Sequence, residues 1–425
     1  MRVAVVGAGW AGLAAAVAAT RDGHHVTVFE SSRSIGGRAR SLEGVLPDGS
    51  AVVLDNGQHI MIGAYTATLR LMHDIGVDPD QVLLRLPLTL RFPDGDGLAL
   101  PELPAPLDAA WGIATAAGWN WRDKTSLLGA ALRWQLARFR CRPALTVIDV
   151  CRGISLRVMD QLIEPLCVSA MNTPASRASG QVFLRVIRDA LFGAGHGSWG
   201  GSNLLLPRTD LGSVFPNTAA KWLVRHGALV ELGQRVQHIA RAGAHWRAAD
   251  QHFQAVVLAC PAGEASRLVR GADIGTDEWL ARSDALAHEA ITTVYLAGGP
   301  RLPLPMLALH ATAAAPAQFV FDRSQLGGPA GLLAFVVSAS TDDRPALQQQ
   351  VVAQAAALGW KGLLPVQTVV ERRATFACTP GLQRPGADVA PGLLACGDYV
   401  DGPYPATIEG AVRSALQAAA LLPRP

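Results

Sequence analysis

The sequence is poor in charge and has almost no excess of one sign. Charged residues make up 17% of the 425 positions, and 37 Lys and Arg stand against 34 Asp and Glu, for a formal net charge of +3. A chain without a dominant positive field attracts polyanions weakly, so nucleic acid is not an expected partner. Hydrophobic residues make up 50% of the chain, which excludes a disordered protein. The mean hydropathy of +0.23 suggests that some apolar surface meets an apolar partner.

Cysteines are few and scattered along the chain. No two of them form a C-x-x-C pair, and none has a histidine at metal-ligand spacing. The sequence therefore predicts reduced, mostly buried thiols and no metal site. The six thiols belong to Cys141, Cys151, Cys167, Cys260, Cys378 and Cys396.

Long apolar runs without interruption are also lacking. Residues 3–20 carry no formal charge, but three glycines interrupt them and a second strand pattern follows directly, which disfavours a secretory signal. Residues 302–321 are also uncharged, but Pro303, Pro305 and Pro316 would break a membrane-spanning helix. We therefore expect a cytoplasmic protein without a transmembrane segment.

The chain opens with the pattern of a dinucleotide-binding unit. Residues 2–6 form a β-branched apolar run, typical of a strand buried on both faces of a parallel sheet. The turn Gly7-Ala8-Gly9-Trp10-Ala11-Gly12 follows, and a helix is predicted for residues 12–22. Gly7 permits a tight turn, Gly9 lets the backbone approach the phosphates, and Gly12 lets the helix pack closely on the strand. The helix N-terminus would then face the pyrophosphate, where N–H groups and the helix dipole favour an anion.

A second predicted strand, residues 25–29, ends at Glu30, whose carboxylate can accept both ribose hydroxyls of an adenosine. A glycine motif alone is a weak signal, but strand, turn, helix, strand and acid fall here in the required order. A second match, residues 195–200, follows a helical pattern over residues 182–192 instead of a strand. We interpret that match as a flexible loop.

The segment after Glu30 distinguishes the type of dinucleotide. In Ile35-Gly36-Gly37-Arg38-Ala39-Arg40, the glycine pair can wrap phosphates and an arginine can neutralise them. This segment resembles the FAD-dependent amine oxidase and phytoene desaturase superfamily, which implies FAD, with Arg38 on its pyrophosphate. The implied fold is α/β: a Rossmann-type FAD-binding domain of the GR2-like flavin amine oxidase fold, with an inserted α+β substrate domain.

Later segments extend this resemblance. Residues 227–239 resemble the superfamily's hairpin, which implies that the backbone of Val236 contacts the adenine, and residues 255–261 are then a returning sheet strand. An apolar strand over residues 393–396 ends in Gly397-Asp398 and resembles the second flavin motif, implying Asp398 on the ribityl hydroxyls. A helix over residues 405–413 implies amides near Thr407 and Ile408 that face the flavin N1 and C2 carbonyl, where a partial positive charge stabilises anionic reduced flavin.

The domain organisation follows from these motifs. We predict that residues 1–85, 205–270 and 385–425 form the FAD-binding domain, and that residues 86–204 and 271–384 form the substrate domain. The first insert has a proline-rich loop over residues 93–106 and helical patterns over residues 121–139 and 155–171.

Three phrases narrow the resemblance to the squalene-associated FAD-dependent desaturases, a family that includes the hydroxysqualene dehydroxylases of bacterial hopanoid synthesis. This implies a C30 isoprenoid substrate, with Asn56 and Gly57 near the isoalloxazine. An amine oxidase is the nearest competitor, but its usual cage tyrosine is replaced by Thr407, although Tyr404 can still supply one wall. The phrases are Leu54-Asp55-Asn56-Gly57-Gln58-His59 followed by Gly63-Ala64-Tyr65, Glu164-Pro165-Leu166-Cys167 leading to Met171-Asn172-Thr173-Pro174, and Leu205-Leu206-Pro207-Arg208 with Leu211.

The dehydroxylase resemblance implies hydride transfer from reduced FAD to an allylic carbon as the hydroxyl leaves. Hydroxide is a poor leaving group, so a general acid is required. His59 is the first candidate because its ordinary pKa lies near the working pH; Asp55, Glu409, Asp210 or a bound water are alternatives. The electron donor is open, either free reduced nicotinamide or a separate reductase. A carotenoid-type desaturase and a non-catalytic prenyl-lipid carrier on the same fold remain alternatives.

A segment rich in tryptophan and basic residues is relevant to how an apolar substrate reaches the protein. Trp111, Trp119, Trp121 and Trp134 lie in a region with a high density of basic residues, and Asp123 is the only acid between Arg122 and Arg142. This combination suits a membrane interface with anionic headgroups, but it also suits a solvated basic helix with tryptophans in the core. Peripheral membrane association is therefore a hypothesis. The basic residues are Arg122, Lys124, Arg133, Arg138, Arg140 and Arg142.

Overall fold

The computed structural model describes residues 1–193, 195–197, 199–341 and 343–423. Its strands are β1 (Arg2–Val6), β2 (His25–Glu30), β3 (Ser41–Val45), β4 (Ala51–Asp55), β5 (Met61–Ile62), β6 (Leu83–Leu86), β7 (Thr89–Arg91), β8 (Gly97–Ala99), β9 (Leu204–Pro207), β10 (Leu229–Leu232), β11 (Ile239–Ala242), β12 (His245–Ala248), β13 (Gln251–Phe253), β14 (Ala255–Leu258), β15 (His288–Ala297), β16 (Met306–Ala308), β17 (Phe319–Asp322), β18 (Leu333–Ser340), β19 (Leu364–Phe376), β20 (Asp388–Ala390) and β21 (Leu393–Ala395).

The α-helices are α1 (Trp10–Arg21), α2 (Thr66–Asp74), α3 (Pro79–Val82), α4 (Leu107–Thr115), α5 (Trp121–Leu136), α6 (Val147–Val150), α7 (Leu156–Val158), α8 (Glu164–Met171), α9 (Gly180–Phe192), α10 (Leu211–Val214), α11 (Pro216–Arg225), α12 (Ala262–Ala272), α13 (Asp277–Asp284), α14 (Arg344–Ala357) and α15 (Ile408–Ala420). A π-helical segment, Met159–Ile163, joins α7 to α8, and a 3-10 turn, Arg323–Leu326, follows β17.

A six-stranded sheet carries the N-terminal glycine turn. Its strand order is β10-β2-β1-β14-β21-β20, and all neighbours run parallel except the edge strand β20. The centre is fully buried, as the apolar run at residues 2–6 predicts: Val3 lies between Val26 on β2 and Ala255 on β14. Helix α1 packs against α15 and α11 beside this sheet. The predicted strands at residues 2–6 and 25–29 are confirmed.

Helix α1 begins two residues earlier than the sequence predicts. Gly9 caps it in an extended conformation (φ −76°, ψ −178°) without a side-chain hydrogen bond, so Trp10 is already helical. The first-turn N–H groups of α1 therefore start directly at the glycine turn, which is the arrangement that favours an anion.

A second sheet contributes residues to the same cavity as the first. Its five strands are antiparallel in the order β16-β17-β18-β15-β19, and α14 contacts β15 and β19. Helices α4 to α9 precede it in the chain. Together these elements give an α/β fold with an inserted α+β unit. The strands of the six-stranded sheet come from residues 2–30, 229–258 and 388–395; the exact domain boundaries stay a prediction.

The helical patterns of the first insert correspond to real helices. Helix α5 starts at Trp121 because Asn120 caps it: the Asn120 side chain accepts the Asp123 backbone N–H, and Asp123 accepts the Asn120 N–H in return. It ends at Leu136, three residues before the predicted end. Residues 156–171 form one helical stretch in three parts, α7, the π-helical segment and α8, so the pattern predicted for residues 155–171 is helical from its second residue.

Residues 227–239 are not a hairpin: β10 pairs with β2 in parallel, and an irregular segment follows before β11, which pairs with β12. Residues 229–232 pair with residues 27–30 of β2 and become the edge strand of the main sheet, so they are not available for a hairpin. In the second glycine match, Ser198 lies outside the described residues, and the described residues of 195–200 form neither helix nor strand.

Among the helices in the described part of the chain, none is both long enough and apolar enough to cross a bilayer.

Candidate active site

A cavity of about 760 Å³ opens where the six-stranded sheet meets the five-stranded sheet. Most residues predicted to bind the cofactor line it, although they come from distant parts of the sequence. Ala8 and Gly12 are not part of the lining. The predicted residues in the lining are Gly7, Gly9, Trp10, Ala11, Glu30, Gly36, Gly37, Arg38, Asn56, Gly57, Val236, Gly397, Asp398, Thr407 and Ile408.

The three glycines of the turn have different physical reasons to be glycine. Gly7 has φ +113°, and a Cβ there would lie 2.8 Å from the Ala259 carbonyl oxygen. A Cβ on Gly12 would lie 1.8 Å from the Gly7 oxygen, so these two positions are required by the fold. A Cβ on Gly9 would meet only the Gly37 Cα, at 3.7 Å, and both glycines line the cavity. Gly9 thus keeps open space at the helix N-terminus instead of relieving a clash.

Glu30 closes the end of β2 over the glycine turn. One carboxylate oxygen accepts the Ala8 N–H at 2.8 Å, and the other accepts the Ser32 N–H at 2.8 Å. Glu30 also lines the cavity, so its remaining lone pairs are available there. The structure thus places the predicted acid directly beside the predicted phosphate turn.

Arg38 is held by elements that the sequence patterns did not connect to it. Its guanidinium donates to the Ala374 carbonyl at 2.8 Å and to Asp398 Oδ1 at 2.5 Å. The Arg38 carbonyl accepts the Asn56 side-chain amide at 3.1 Å, and that amide also donates to Glu371 Oε2 at 2.9 Å. Strand β19 therefore forms one wall of the cavity. Glu371 and Ala374 both line the cavity, and neither was predicted.

The N-terminus of α15 also reaches the cavity. Thr407 caps the helix by accepting the Gly410 N–H at 2.9 Å, and Thr407 and Ile408 both contribute to the lining. Both residues therefore lie where a ligand in the cavity could contact the start of α15. Whether they contact a flavin stays a prediction.

Glu409 lies on the opposite side of α15. It is fully buried, accepts the backbone N–H groups of Ala67 and Thr68 at 3.1 and 2.9 Å, and forms an ion pair with Arg413 at 2.7 Å. It is not part of the cavity lining. Its contacts stabilise the N-terminus of α2 against α15, so its geometry gives no route to a substrate in the cavity.

Asp55 is buried behind the cavity. Only 1% of its surface is exposed, one oxygen accepts the Leu211 N–H at 2.8 Å, and the other lies 3.7 Å from Arg323. Burial raises the pKa of Asp55 to about 6, although the nearby Arg323 charge acts in the opposite direction. Arg323 also donates to Gln58 at 3.0 Å. The pair therefore braces the loop that carries Gln58 and His59, while Asp55 itself does not line the cavity.

Asp210, another candidate acid from the sequence, is the N-cap residue of helix α10. It accepts hydrogen bonds from the Ser41 and Ser213 side chains and caps α10. Burial acts to raise the pKa of Asp210, but these hydrogen bonds outweigh it and the net shift is downward. A carboxyl group with a lowered pKa is ionised at neutral pH, and Asp210 also does not line the cavity, so it is a poor candidate for the proton donor.

His59 is the only one of the four candidate acids that lines the cavity. Its Nδ1 lies 2.7 Å from the Gly57 carbonyl oxygen, and because a carbonyl can only accept, Nδ1 carries the proton. Burial lowers the pKa of His59, the hydrogen bond to Gly57 opposes this, and the Arg38 charge adds to the lowering. The neutral imidazole at pH 7 therefore has its lone pair on Nε2.

The rest of the cavity is lined mainly by apolar side chains that the sequence analysis did not single out. They come from the five-stranded sheet, from α8 and from the segment after His59. Alternation along β17 places both of its lining phenylalanines on one face. These apolar residues are Ile60, Val168, Ile291, Phe319, Phe321 and Val336.

Two polar residues accompany this apolar wall. Asn172 ends α8 with φ +48°, donates to Thr375 Oγ1 at 3.0 Å and accepts the Ala339 N–H at 2.6 Å. Tyr65 lines the cavity near Thr407, and burial raises its pKa above the ordinary value of 10.0. Both residues occur in the phrases that carried the family resemblance. That resemblance was the available signal for them.

Tyr404 does not supply an aromatic wall to this cavity. Its hydroxyl donates to Asp189 at 2.9 Å, and the Arg413 guanidinium lies 5.0 Å from its ring centroid. It borders a separate pocket with Arg185, Arg188 and Arg413. With Thr407 at the other position, the aromatic pair typical of an amine oxidase cage is not formed by these residues.

Comparison with known proteins agrees with this geometry. The model of the family "Flavin containing amine oxidoreductase" matches residues 10–423. The chain belongs to the flavin-containing amine oxidoreductase family. It is therefore a flavin-dependent oxidoreductase, and its fold is the α/β fold of that family.

Two curated relatives and one solved structure illustrate the range of similarity. A hydroxysqualene dehydroxylase from Rhodopseudomonas palustris is 28% identical over 99% of this chain and 98% of that protein. A zeta-carotene desaturase from Synechocystis is 40% identical, but only over 18% of this chain and 15% of that protein. The fold is similar to a putative protoporphyrinogen oxidase from Exiguobacterium, with a TM-score of 0.69, 18% identity and coverage of 99% and 98% of the two chains.

Proposed function

We propose that the chain binds FAD and removes the hydroxyl group of hydroxysqualene reductively, giving squalene in hopanoid biosynthesis. One observation carries the proposal: a single cavity combines a cradle of glycines and charged groups with a wall of apolar side chains. The full-length similarity to hydroxysqualene dehydroxylases supports the same substrate class, whereas the desaturase similarity covers a small part of the chain.

The glycines and charged residues of the cavity are suited to the chemical groups of FAD. Gly9 and Gly37 face one another without side chains, so a pyrophosphate can approach the backbone at the N-terminus of α1. Arg38 would bind the pyrophosphate, Glu30 the adenosine ribose, and Asp398 the ribityl hydroxyls. Val236 would contact the adenine through its backbone. The N-terminus of α15 at Thr407 and Ile408 would lie at the flavin N1 and C2 carbonyl.

The apolar wall would hold the polyprene chain. Phe319, Phe321 and Val336 present a continuous apolar surface from two neighbouring strands, and Val168 faces the cavity from α8. Removing such a substrate from water is favourable in proportion to the apolar area buried. A charged amine would lose its hydration at this wall without gaining a polar partner, and this cost favours an isoprenoid substrate over an amine.

When bound, reduced FAD supplies a hydride equivalent to the allylic carbon while the carbon–oxygen bond breaks. The departing hydroxyl takes a proton and leaves as water. We propose His59 as the donor of this proton, because Asp55, Asp210 and Glu409 do not line the cavity. Burial lowers the pKa of His59, so protonation of its imidazole in the cavity costs free energy. Once formed, the imidazolium would donate this proton to the hydroxyl oxygen of the substrate.

The turnover requires a two-electron donor for the flavin. We propose that free reduced nicotinamide or a separate reductase supplies these electrons, since the motifs of this chain provide a single dinucleotide cradle. We further propose a cytoplasmic protein that works at the membrane surface, where a C30 isoprenoid resides.

The decisive experiment is anaerobic incubation of the pre-reduced holoenzyme with hydroxysqualene, followed by chromatographic analysis of the lipids. Squalene formed in proportion to flavin oxidised is the expected result. Conversion of a saturated bond to a double bond by the oxidised enzyme, with no squalene from the reduced one, would identify a desaturase. A colourless protein that takes up no FAD would instead indicate a prenyl-lipid carrier.

A further inference from the structure

Exposed apolar side chains are concentrated in one stretch of the sequence. Of the 17 large hydrophobic side chains that are exposed among the described residues, nine lie between positions 103 and 156. This stretch is about one eighth of the chain, so the concentration is far above an even distribution. Clustered exposed apolar residues indicate an interaction surface, whereas scattered ones do not. The nine are Leu103, Leu107, Trp111, Trp121, Leu128, Leu132, Leu136, Ile148 and Leu156.

Helix α5 has two apolar faces on opposite sides. One face packs into the core and consists of Leu127, Ala130 and Trp134. The other points to solvent and is called here the leucine face: Trp121, Leu128, Leu132 and Leu136, which are 70%, 47%, 58% and 77% exposed. At about 100° per residue, these four positions fall within roughly 80° of the helix surface. An ordinary surface helix has polar residues at such positions.

Basic side chains border the leucine face. Arg122 and Arg133 lie beyond one edge of the stripe and Lys124 beyond the other, as their positions along the helix require. Three more exposed arginines, Arg138, Arg140 and Arg142, follow the end of α5. The one acid of this segment, Asp123, is buried in the helix cap and does not balance them at the surface.

We propose that the leucine face inserts into the interfacial layer of a bilayer that contains anionic lipids. An apolar stripe with Leu and Trp, flanked by Lys and Arg, matches the requirements of a helix lying in the plane of a membrane surface. A second copy of this chain is a poorer occupant, because isologous contact would bring the same basic groups of both copies together.

The surface is connected to the cavity by one helical stretch. Leu156, which is 88% exposed, starts α7, and α7 contacts α5. The stretch continues through the π-helical segment into α8, where Val168 lines the cavity. Twelve residues separate Leu156 from Val168, which is about 18 Å along a helix. The proposed role of this surface in substrate uptake rests on the proposed function. Docking there would bring the cavity close to a polyprene dissolved in the membrane.

The test is sedimentation of the holoenzyme with phosphatidylcholine vesicles, with and without phosphatidylglycerol. We expect binding to the anionic vesicles that weakens with salt. The triple variant Leu128→Ser/Leu132→Ser/Leu136→Ser should bind at least roughly tenfold more weakly, since three apolar side chains are lost from the contact. The matched control Val224→Ser/Leu229→Ser/Leu232→Ser removes three similarly exposed side chains elsewhere and should bind like the parent.

A second measurement covers the tryptophan. Brominated lipids should quench part of the protein fluorescence, and Trp121→Phe should remove that part. Equal sedimentation with and without anionic vesicles would overturn the proposal, as would a triple variant that binds like the parent. A dimer that the triple variant dissociates would also overturn it, in favour of self-association. These outcomes are independent of squalene formation, so the membrane surface and the proposed reaction can fail separately.

Discussion

Arg38 and Asp398 form an ion pair of 2.5 Å that joins two segments 360 positions apart. Arg38 follows the first strand pair of the six-stranded sheet, and Asp398 follows β21. The Arg38 side chain keeps 35% of its surface exposed, against 10% for Asp398, so the cation still faces the cavity. The residue predicted to bind the pyrophosphate, Arg38, and the residue predicted to bind the ribityl hydroxyls, Asp398, are therefore in direct contact.

Removal of the Arg38 charge should weaken FAD binding without unfolding the protein. For Arg38→Gln we expect the FAD dissociation constant to rise roughly 10- to 100-fold, since hydrogen bonds to charged groups contribute about 1.5–3 kcal/mol. Titration of the apoprotein with FAD, followed by flavin fluorescence, measures this constant. Arg33→Gln, on the exposed surface after β2, is the control and should bind like the parent. An unchanged constant for Arg38→Gln would place the pyrophosphate elsewhere.

Substitution of the turn glycines should separate folding from cofactor binding. Gly12→Ala places a Cβ 1.8 Å from a backbone oxygen, so we expect a large loss of stability and little folded protein. Gly9→Ala meets no atom closer than 3.7 Å, so the protein should fold with a melting temperature near that of the parent. Its methyl group nevertheless occupies the cradle, and FAD affinity should fall at least roughly tenfold. Thermal unfolding of the two apoproteins measures the effect on folding, and FAD titration of Gly9→Ala measures the effect on cofactor binding. A Gly9→Ala protein that binds FAD as tightly as the parent would contradict the placement of the pyrophosphate at Gly9.

The sequence predicted those parts of the site that depend on short-range pattern. The strand, glycine turn, helix and acid of residues 2–30 follow one another along the chain, and each has a local physical reason. The wall formed by β19 was missed because Arg38 and Ala374 are brought together only by the tertiary fold, and a single sequence carries no local signal for such a contact. Phe319 and Phe321 were missed for the same reason.

Helix orientation limited the prediction of the acids. Ile408 and Glu409 are neighbours at the start of α15, yet one lines the cavity and the other packs against α2. A rotation of about 100° per residue separates them, and the sequence does not reveal which side faces the cofactor. The expected hairpin at residues 227–239 was wrong for a related reason, because the pairing of β10 with β2 is a long-range contact.

Asp55 should make stability depend on pH in a defined direction. Its pKa is raised to about 6 by burial, so the folded state binds a proton more tightly than the unfolded chain, and stability is lost as pH rises through about 6. Asp55→Asn cannot ionise. Relative to this variant, the parent should therefore lose about 1.4 kcal/mol between pH 5 and pH 8, because about one pH unit of the titration lies in that range. Thermal unfolding across that range measures the difference. The exposed Asp48, whose pKa is lowered, supplies the control: Asp48→Asn should follow the parent at every pH in this range.

The pH dependence of turnover tests the assignment of His59. If His59 donates the proton, the reactive form is its imidazolium, whose pKa lies below the ordinary 6.5. The rate of squalene formation by the reduced enzyme should therefore rise as pH falls from 8, and level off only below that pKa. His59→Gln should lower the rate by roughly 10²- to 10⁴-fold and abolish this rise. His73→Gln, on the exposed surface of α2, should behave like the parent. Because Asp55 ionises in a neighbouring range, Asp55→Asn is measured alongside: it should retain the acidic rise, and loss of the rise in that variant alone would transfer the role to Asp55.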